Sequence, residues 1–311
     1  MAILLATSLE DDELAQWAAL LRAALPEETI VTDRAEGDPD RIDVAVISGP
    51  RRGALQGLPS LRFIQSTWAG VERLVNDPTI PAGVPLARMV DPAMSDAMAE
   101  TALWAVLSLH RGYFDYADKQ HAHQWAPHPQ RRADEVSVAV LGLGQIGTTV
   151  AQRIAAQGYR VIGWSRRETR VPDVDTRHAD AALPSVLAEA DIVVNLLPLT
   201  PDTRGFFDKH RFAQMRTGAS LVNLARGGHV VDADLLDALA NRRLDRAVLD
   251  VFHVEPLPPA HAFWSHPKIT VLPHVAASTD PRSAADIVAA NVRRFREGRE
   301  PLNLVDRSRG Y

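Results

Sequence analysis

The stretch Val138-Ala-Val-Leu-Gly-Leu-Gly-Gln-Ile-Gly147 constrains this chain more than any other. An apolar run enters Gly142-x-Gly144-x-x-Gly147, and a helix-compatible segment, Thr148 to Gln157, follows. That order reads as a buried strand, a tight turn and a helix start. Such a turn seats a dinucleotide pyrophosphate on a helix N-terminus, with Gln145 and Ile146 inside it. The next strand, Arg160 to Trp164, would ordinarily end in an acid that binds the adenosine ribose 2′-hydroxyl. Here it ends in Ser165-Arg166-Arg167. Two guanidiniums suit a 2′-phosphate, so NADP(H) is preferred and NAD(H) remains possible.

The 311 residues suffice for two domains, and 46% of them are hydrophobic, which rules against wholesale disorder. A net charge of −5 gives no support for a nucleic-acid or anionic-membrane surface. With no cysteine, disulfides, thiolate metal sites and cysteine nucleophiles are excluded. No apolar run approaches the ~20 residues of a membrane span. The N-terminus reads as a first strand, not a signal peptide, and a soluble cytoplasmic protein is the expectation.

Strands alternate with helices, which argues for α/β architecture with parallel sheets. In the first part, residues 2–6, 43–47, 62–66 and 86–89 read as strands and 11–24 as a helix. A long helix is expected from Pro92 to Gln120, with Ser95 near its cap; His121 to Arg132 reads as a loop. Six strands follow, at 136–141, 160–164, 191–196, 219–223, 246–251 and 268–272. The helices between and after them are expected at 145–157, 183–188, 209–214, 232–241 and 282–297. His121, His123 and His128 lack a carboxylate at ligand spacing, and no metal site is expected.

Three later segments place polar groups at strand ends, where open α/β sheets bind ligands. Arg226 precedes two glycines, Asp250 stands at the end of a fifth strand of the second series with Glu255 after it, and His274 follows a sixth. Each alone is modest. Together they supply the inventory for hydride transfer to a 2-keto acid. A cation anchors the carboxylate and polarises the keto oxygen. Histidine titrates near neutrality, and a neighbouring carboxylate favours its protonated form.

In order and spacing, these segments resemble the D-isomer-specific 2-hydroxyacid dehydrogenases. The shared features are the glycine turn, Asn223-Leu-Ala-Arg226-Gly227, Asp250-Val-Phe, Glu255-Pro256-Leu257 and Pro273-His274-Val-Ala-Ala. The likeness extends over nearly the whole chain, including Asn195-Leu-Leu-Pro198 and the ending Asp306 to Tyr311. It implies two Rossmann-like domains, with the dinucleotide domain (101–282) inserted into a flavodoxin-like substrate domain (1–100 plus 283–311). It also implies that Arg226 binds the keto acid, His274 is the acid/base and Glu255 pairs with His274. Asp250 would contact the nicotinamide carboxamide, and Leu197 and Pro198 would line the adenosine side. Gly70 and Val71 match a substrate-carboxylate loop; Glu72 stands where aspartate is usual, and Trp68, bulkier than the family pattern, would cap the pocket and favour small substrates. Within the family the pattern is nearest to reductases of small keto acids such as glyoxylate and hydroxypyruvate, assembled as homodimers. A NAD-dependent dehydrogenase of a larger or phosphorylated acid is an alternative. A dinucleotide-sensing corepressor is another, and NADPH binding without keto-acid turnover would mark it.

Overall fold

The computed structural model describes residues 1–307, the Glu36 side chain excepted. Residues 308–311 of the family-like ending therefore lie outside the described residues. The chain divides into two compact units. One comprises Met1–Met94 and the chain from Thr279 onward; the other is Ser95–Ser278. The first division falls inside the opening turn of the helix Pro92–His110.

The first unit is built on β1 (Ala2–Thr7), β2 (Thr29–Val31), β3 (Ile42–Ser48), β4 (Phe63–Ser66) and β5 (Leu86–Ala87). They form one parallel sheet in the order β2-β1-β3-β4-β5, the flavodoxin-like order. Every residue of β3 is buried, as expected of a parallel strand covered on both faces. The helices Asp11–Ala24 and Pro281–Arg296 pack against one another. Phe295 of the latter stacks on Phe63 at 5.5 Å. Its Asn291 donates to Gln65 at 2.7 Å, both side chains buried. Arg296 pairs with Glu28 and with Asp43, whose side chain is fully buried. The closing helix thus belongs to the first sheet by apolar, polar and ionic contacts together.

The second unit holds β6 (Ser137–Leu141), β7 (Arg160–Ser165), β8 (Asp175–His178), β9 (Ile192–Asn195), β10 (Ala219–Asn223), β11 (Leu244–Leu249) and β12 (Ile269–Val271). Among the described residues they form one parallel sheet, β12-β11-β10-β9-β6-β7-β8. Val138 and Val140 point into one apolar cluster, Ala139 and Leu141 into the other. That two-sided burial explains the unbroken apolar run before the glycines. Strand order reverses between β6 and β9, and ligands of such sheets bind outside the carboxyl ends at that point.

Two strands escape the sequence pattern. β8 is Asp-Thr-Arg-His at a sheet edge with no buried residue, and β2 is a three-residue edge strand. The second sheet therefore has seven strands where the pattern shows six. The long helix also divides, into Pro92–His110 and Tyr113–His121. Gly112 sits at φ +71, and a Cβ there would lie 2.4 Å from the His128 ring. Only glycine takes that turn freely. At the first helix's start Asp91, not Ser95, accepts the Ala93 N–H.

Asp280 caps the Pro281–Arg296 helix and accepts both from the Arg282 guanidinium and from its N–H. These two donors, the guanidinium first, lower its pKa from 3.8 to about 2. A depressed carboxylate stabilises the fold above the ordinary value and loses that contribution as pH falls through the lowered one. Asp280→Ala should therefore melt below wild type at neutral pH, and the gap should close as pH falls from about 4 towards about 2. Thermal melts of both proteins across that range check this.

Candidate active site

Each glycine of the turn after β6 has a separate steric reason. Gly142 takes φ +100, and a Cβ there would sit 2.8 Å from the Leu196 carbonyl oxygen. A Cβ on Gly147 would lie 1.7 Å from the Gly142 oxygen, so the helix Gln145–Ala155 could not approach the strand. At Gly144 a Cβ would meet nothing within 4 Å. The backbone is bare there at the start of an 11-residue helix, beside exposed Gln145 and half-buried Ile146. This fits a pyrophosphate lying against backbone N–H groups.

Beyond β7, Ser165 donates to the Arg167 carbonyl at 2.6 Å and so shapes the turn that presents both arginines. Arg166 and Arg167 are exposed. Arg166 lies 3.4 Å from exposed Asp202. An exposed pair of this kind contributes about 0–1 kcal/mol, less than the ~1.5–3 kcal/mol of a hydrogen bond to a charged group. A phosphate can therefore compete for Arg166. Leu197 is 6% exposed and belongs to an apolar core cluster, so its side chain is structural. What this segment offers a ligand is backbone, next to Gly142 and half-buried Pro198.

The carboxyl ends of β9 to β12 are tied to one another. Asn195 at the end of β9 donates to Asn223 at the end of β10 at 2.9 Å, both fully buried. Asn223 in turn donates to the Arg226 carbonyl at 3.0 Å. A Cβ on Gly227 would lie 2.0 Å from the Phe252 carbonyl carbon, so glycine alone lets the Arg226 loop close onto the loop after β11. In that second loop, the Phe252 N–H donates to one Glu255 oxygen at 2.8 Å. The other Glu255 oxygen lies 2.8 Å from His274 Nδ1.

His274 takes φ +56, in the left-handed region, so its loop needs holding. Asp250 supplies the hold: its two carboxylate oxygens accept from the Val275 and Ala276 N–H groups at 2.8 and 3.0 Å. Asp250 is 1% exposed. Burial raises its pKa, Glu255 adds to the rise, and the two N–H donors with His274 oppose it. In the structure Asp250 supports the loop that carries His274. The Glu255–His274 pair is itself half exposed, so it adds little to stability. Its consequence is orientation. With Nδ1–H on the carboxylate, Nε2 is the nitrogen left to exchange a proton.

In the first unit, the Trp68 indole lies on Gly49, where a Cβ would come within 2.7 Å of the ring. Its backbone is fixed by Ser66 at 3.0 Å and by the Met89 N–H at 2.9 Å. Gly49 follows the end of β3, beside the order reversal of the first sheet. Val71 is 1% exposed in the core, so only its backbone and that of half-buried Gly70 can meet a ligand. No group of His, Asp or Glu suited to holding a metal occurs among the described residues. No helix among them is long and apolar enough to cross a membrane. Asn195, Asn223 and His229 are fully buried at these strand ends, and the sequence pattern gives none of them a role. Polar residues closing otherwise apolar strands were the visible signal of the two asparagines.

Comparison with known proteins matches residues 103–276 to "D-isomer specific 2-hydroxyacid dehydrogenase, NAD binding domain". Glyoxylate/hydroxypyruvate reductase A of Yersinia enterocolitica is 36% identical over 304 residues, 96% of this chain and 97% of that protein. The protein of the same name from Serratia proteamaculans is 37% identical over 301 residues, 95% and 96% of the two chains. Among solved structures, a D-isomer specific 2-hydroxyacid dehydrogenase from Xanthobacter autotrophicus Py2, in complex with NADPH and MES, superposes with a TM-score of 0.95. It is 37% identical, with 100% of this chain and 99% of that one covered. An NADPH-dependent glyoxylate/hydroxypyruvate reductase from Sinorhizobium meliloti, in complex with NADP and sulfate, gives 0.93 at 34% identity, covering 100% and 99%. By these matches the chain belongs to the D-isomer-specific 2-hydroxyacid dehydrogenases.

Proposed function

We propose that this protein reduces small 2-keto acids with NADPH, glyoxylate to glycolate and hydroxypyruvate to D-glycerate, in the cytoplasm and as a homodimer. The observation that carries the reading is the Glu255–His274 pair at 2.8 Å, held beside the Arg226 loop. The names of the Yersinia, Serratia and Sinorhizobium relatives support the substrates, and the NADPH and NADP complexes support the cofactor.

When bound, NADPH supplies the hydride that reduces the keto carbon. Gly142, Gly144, Gln145, Ile146 and Gly147 would hold its pyrophosphate, and Ser165, Arg166 and Arg167 its 2′-phosphate. Leu197 and Pro198 would border the adenosine by their backbone. Arg226 draws charge towards the keto oxygen and so lowers the barrier as negative charge develops there. His274 delivers a proton to that oxygen from Nε2. Glu255 keeps the ring in the tautomer and orientation this requires, and stabilises it when protonated. Asp250 keeps the His274 loop in place. By the family resemblance, Gly70 and Val71 N–H groups would hold the carboxylate and Trp68 would favour small acids.

His274→Ala should lower kcat with glyoxylate by about 10²–10⁴-fold while NADPH binding, read by fluorescence titration, stays intact. Full activity in that variant would contradict the proton-donor role. Arg166→Ala should raise KM for NADPH about tenfold to a hundredfold and leave KM for NADH nearly unchanged, since only NADPH carries the phosphate. Equal effects on both would contradict the 2′-phosphate assignment. Asp250→Asn points an amide NH₂ at one of two buried N–H groups. It should cost about 1–3 kcal/mol of unfolding free energy in urea titration.

A further inference from the structure

One buried side chain at these strand ends has no part in the proposed chemistry. His229 is fully buried, three residues after Arg226. Its Nδ1 lies 3.1 Å from the Arg226 carbonyl oxygen, and its Nε2 lies 3.3 Å from the Pro198 carbonyl oxygen. The two carbonyls belong to different loops, one after β10 and one after β9. Each also has donors from its own neighbourhood. Thr203 donates to Pro198 at 2.6 Å. The Asn223 side chain and the His229 N–H donate to Arg226 at 3.0 and 3.2 Å. What the imidazole adds is a rigid span between the loops, because its two nitrogens sit at a fixed separation. A protonated ring donates to both carbonyls, whereas a neutral ring donates to one and only packs its other nitrogen against the second, so at least one bond forms in either state.

We infer that His229 is a positioning residue that fixes the Arg226 backbone against the Pro198 segment, and so couples keto-acid binding to NADPH binding. This rests on the functional reading above, in which Arg226 meets the keto acid and Pro198 borders the cofactor. A ring that merely filled space would answer to volume alone. One that bridges two carbonyls answers to which nitrogen is kept. Asparagine keeps a donor at the level of Nδ1 and falls short of Pro198. Glutamine reaches towards Pro198 and gives up the Nδ1 contact.

The test compares wild type, His229→Asn, His229→Gln and His229→Leu. The readouts are Kd for NADPH by fluorescence titration, KM and kcat for glyoxylate, and melting temperature. The Asn variant should weaken NADPH binding about fivefold to tenfold with a smaller change in KM for glyoxylate. The Gln variant should do the reverse, and the Leu variant should impair both. Asn and Gln variants that shift both constants in equal proportion, or shift neither, overturn the assignment. If one of the two polar variants does not fold, the direction of the split in the other decides. Wild type without glyoxylate turnover overturns the functional reading and this assignment with it; turnover with no split overturns this assignment alone.

Discussion

At Gly227 no side chain fits, because the Phe252 carbonyl carbon occupies the place a Cβ would take. That approach brings the loop after β10 onto the loop after β11, and the chemistry follows from it. Arg226 stands immediately before the contact, and Phe252 N–H holds the carboxylate that turns His274. Asp250, two residues before Phe252, holds the far side of the His274 loop through Val275 and Ala276. On the other flank, Asn223 passes the constraint to Asn195, and the Leu196 backbone passes it to Gly142. The strand ends from β6 to β12 thus form one connected rim. Parallel strands deliver those ends to a common edge, but backbone contacts and buried polar side chains set their spacing.

Electrostatics divides the rim by task. The arginines after β7 are exposed, where a mobile phosphate can reach them at little desolvation cost. Asp250 is buried, and its carboxylate accepts the backbone N–H groups that hold the His274 loop. The Glu255–His274 pair lies between these extremes. Half exposed, it contributes little to stability, and its geometry is kept by a backbone donor on one side and a clamped loop on the other.

Much of this was legible in the sequence, for reasons particular to each element. The glycine turn is visible because three positions each exclude a Cβ or leave one without a contact. The interior strands are visible because two-sided burial removes polar residues from them, as at Val138 to Leu141. Arg226, Glu255 and His274 are visible because they end such runs. The edge strand β8 was hidden, since an edge can be polar throughout. The break at Gly112 was hidden because apolar spacing continues across it while the backbone does not. The burial of Leu197 and Asp250 was not visible in the sequence. Whether a residue after a strand faces solvent or core depends on neighbouring loops, which sequence spacing does not encode. His229 was hidden for the same reason: its two partners come from separate loops.

In the proposed reaction hydride passes to the carbonyl carbon of a small 2-keto acid. NADPH carrying deuterium on the transferable face of C4, incubated with the protein and glyoxylate, tests this by isotope tracing. Such a transfer gives glycolate with one deuterium at C2, seen by NMR or mass spectrometry. Glycolate without deuterium, or no glycolate despite bound NADPH, would contradict it.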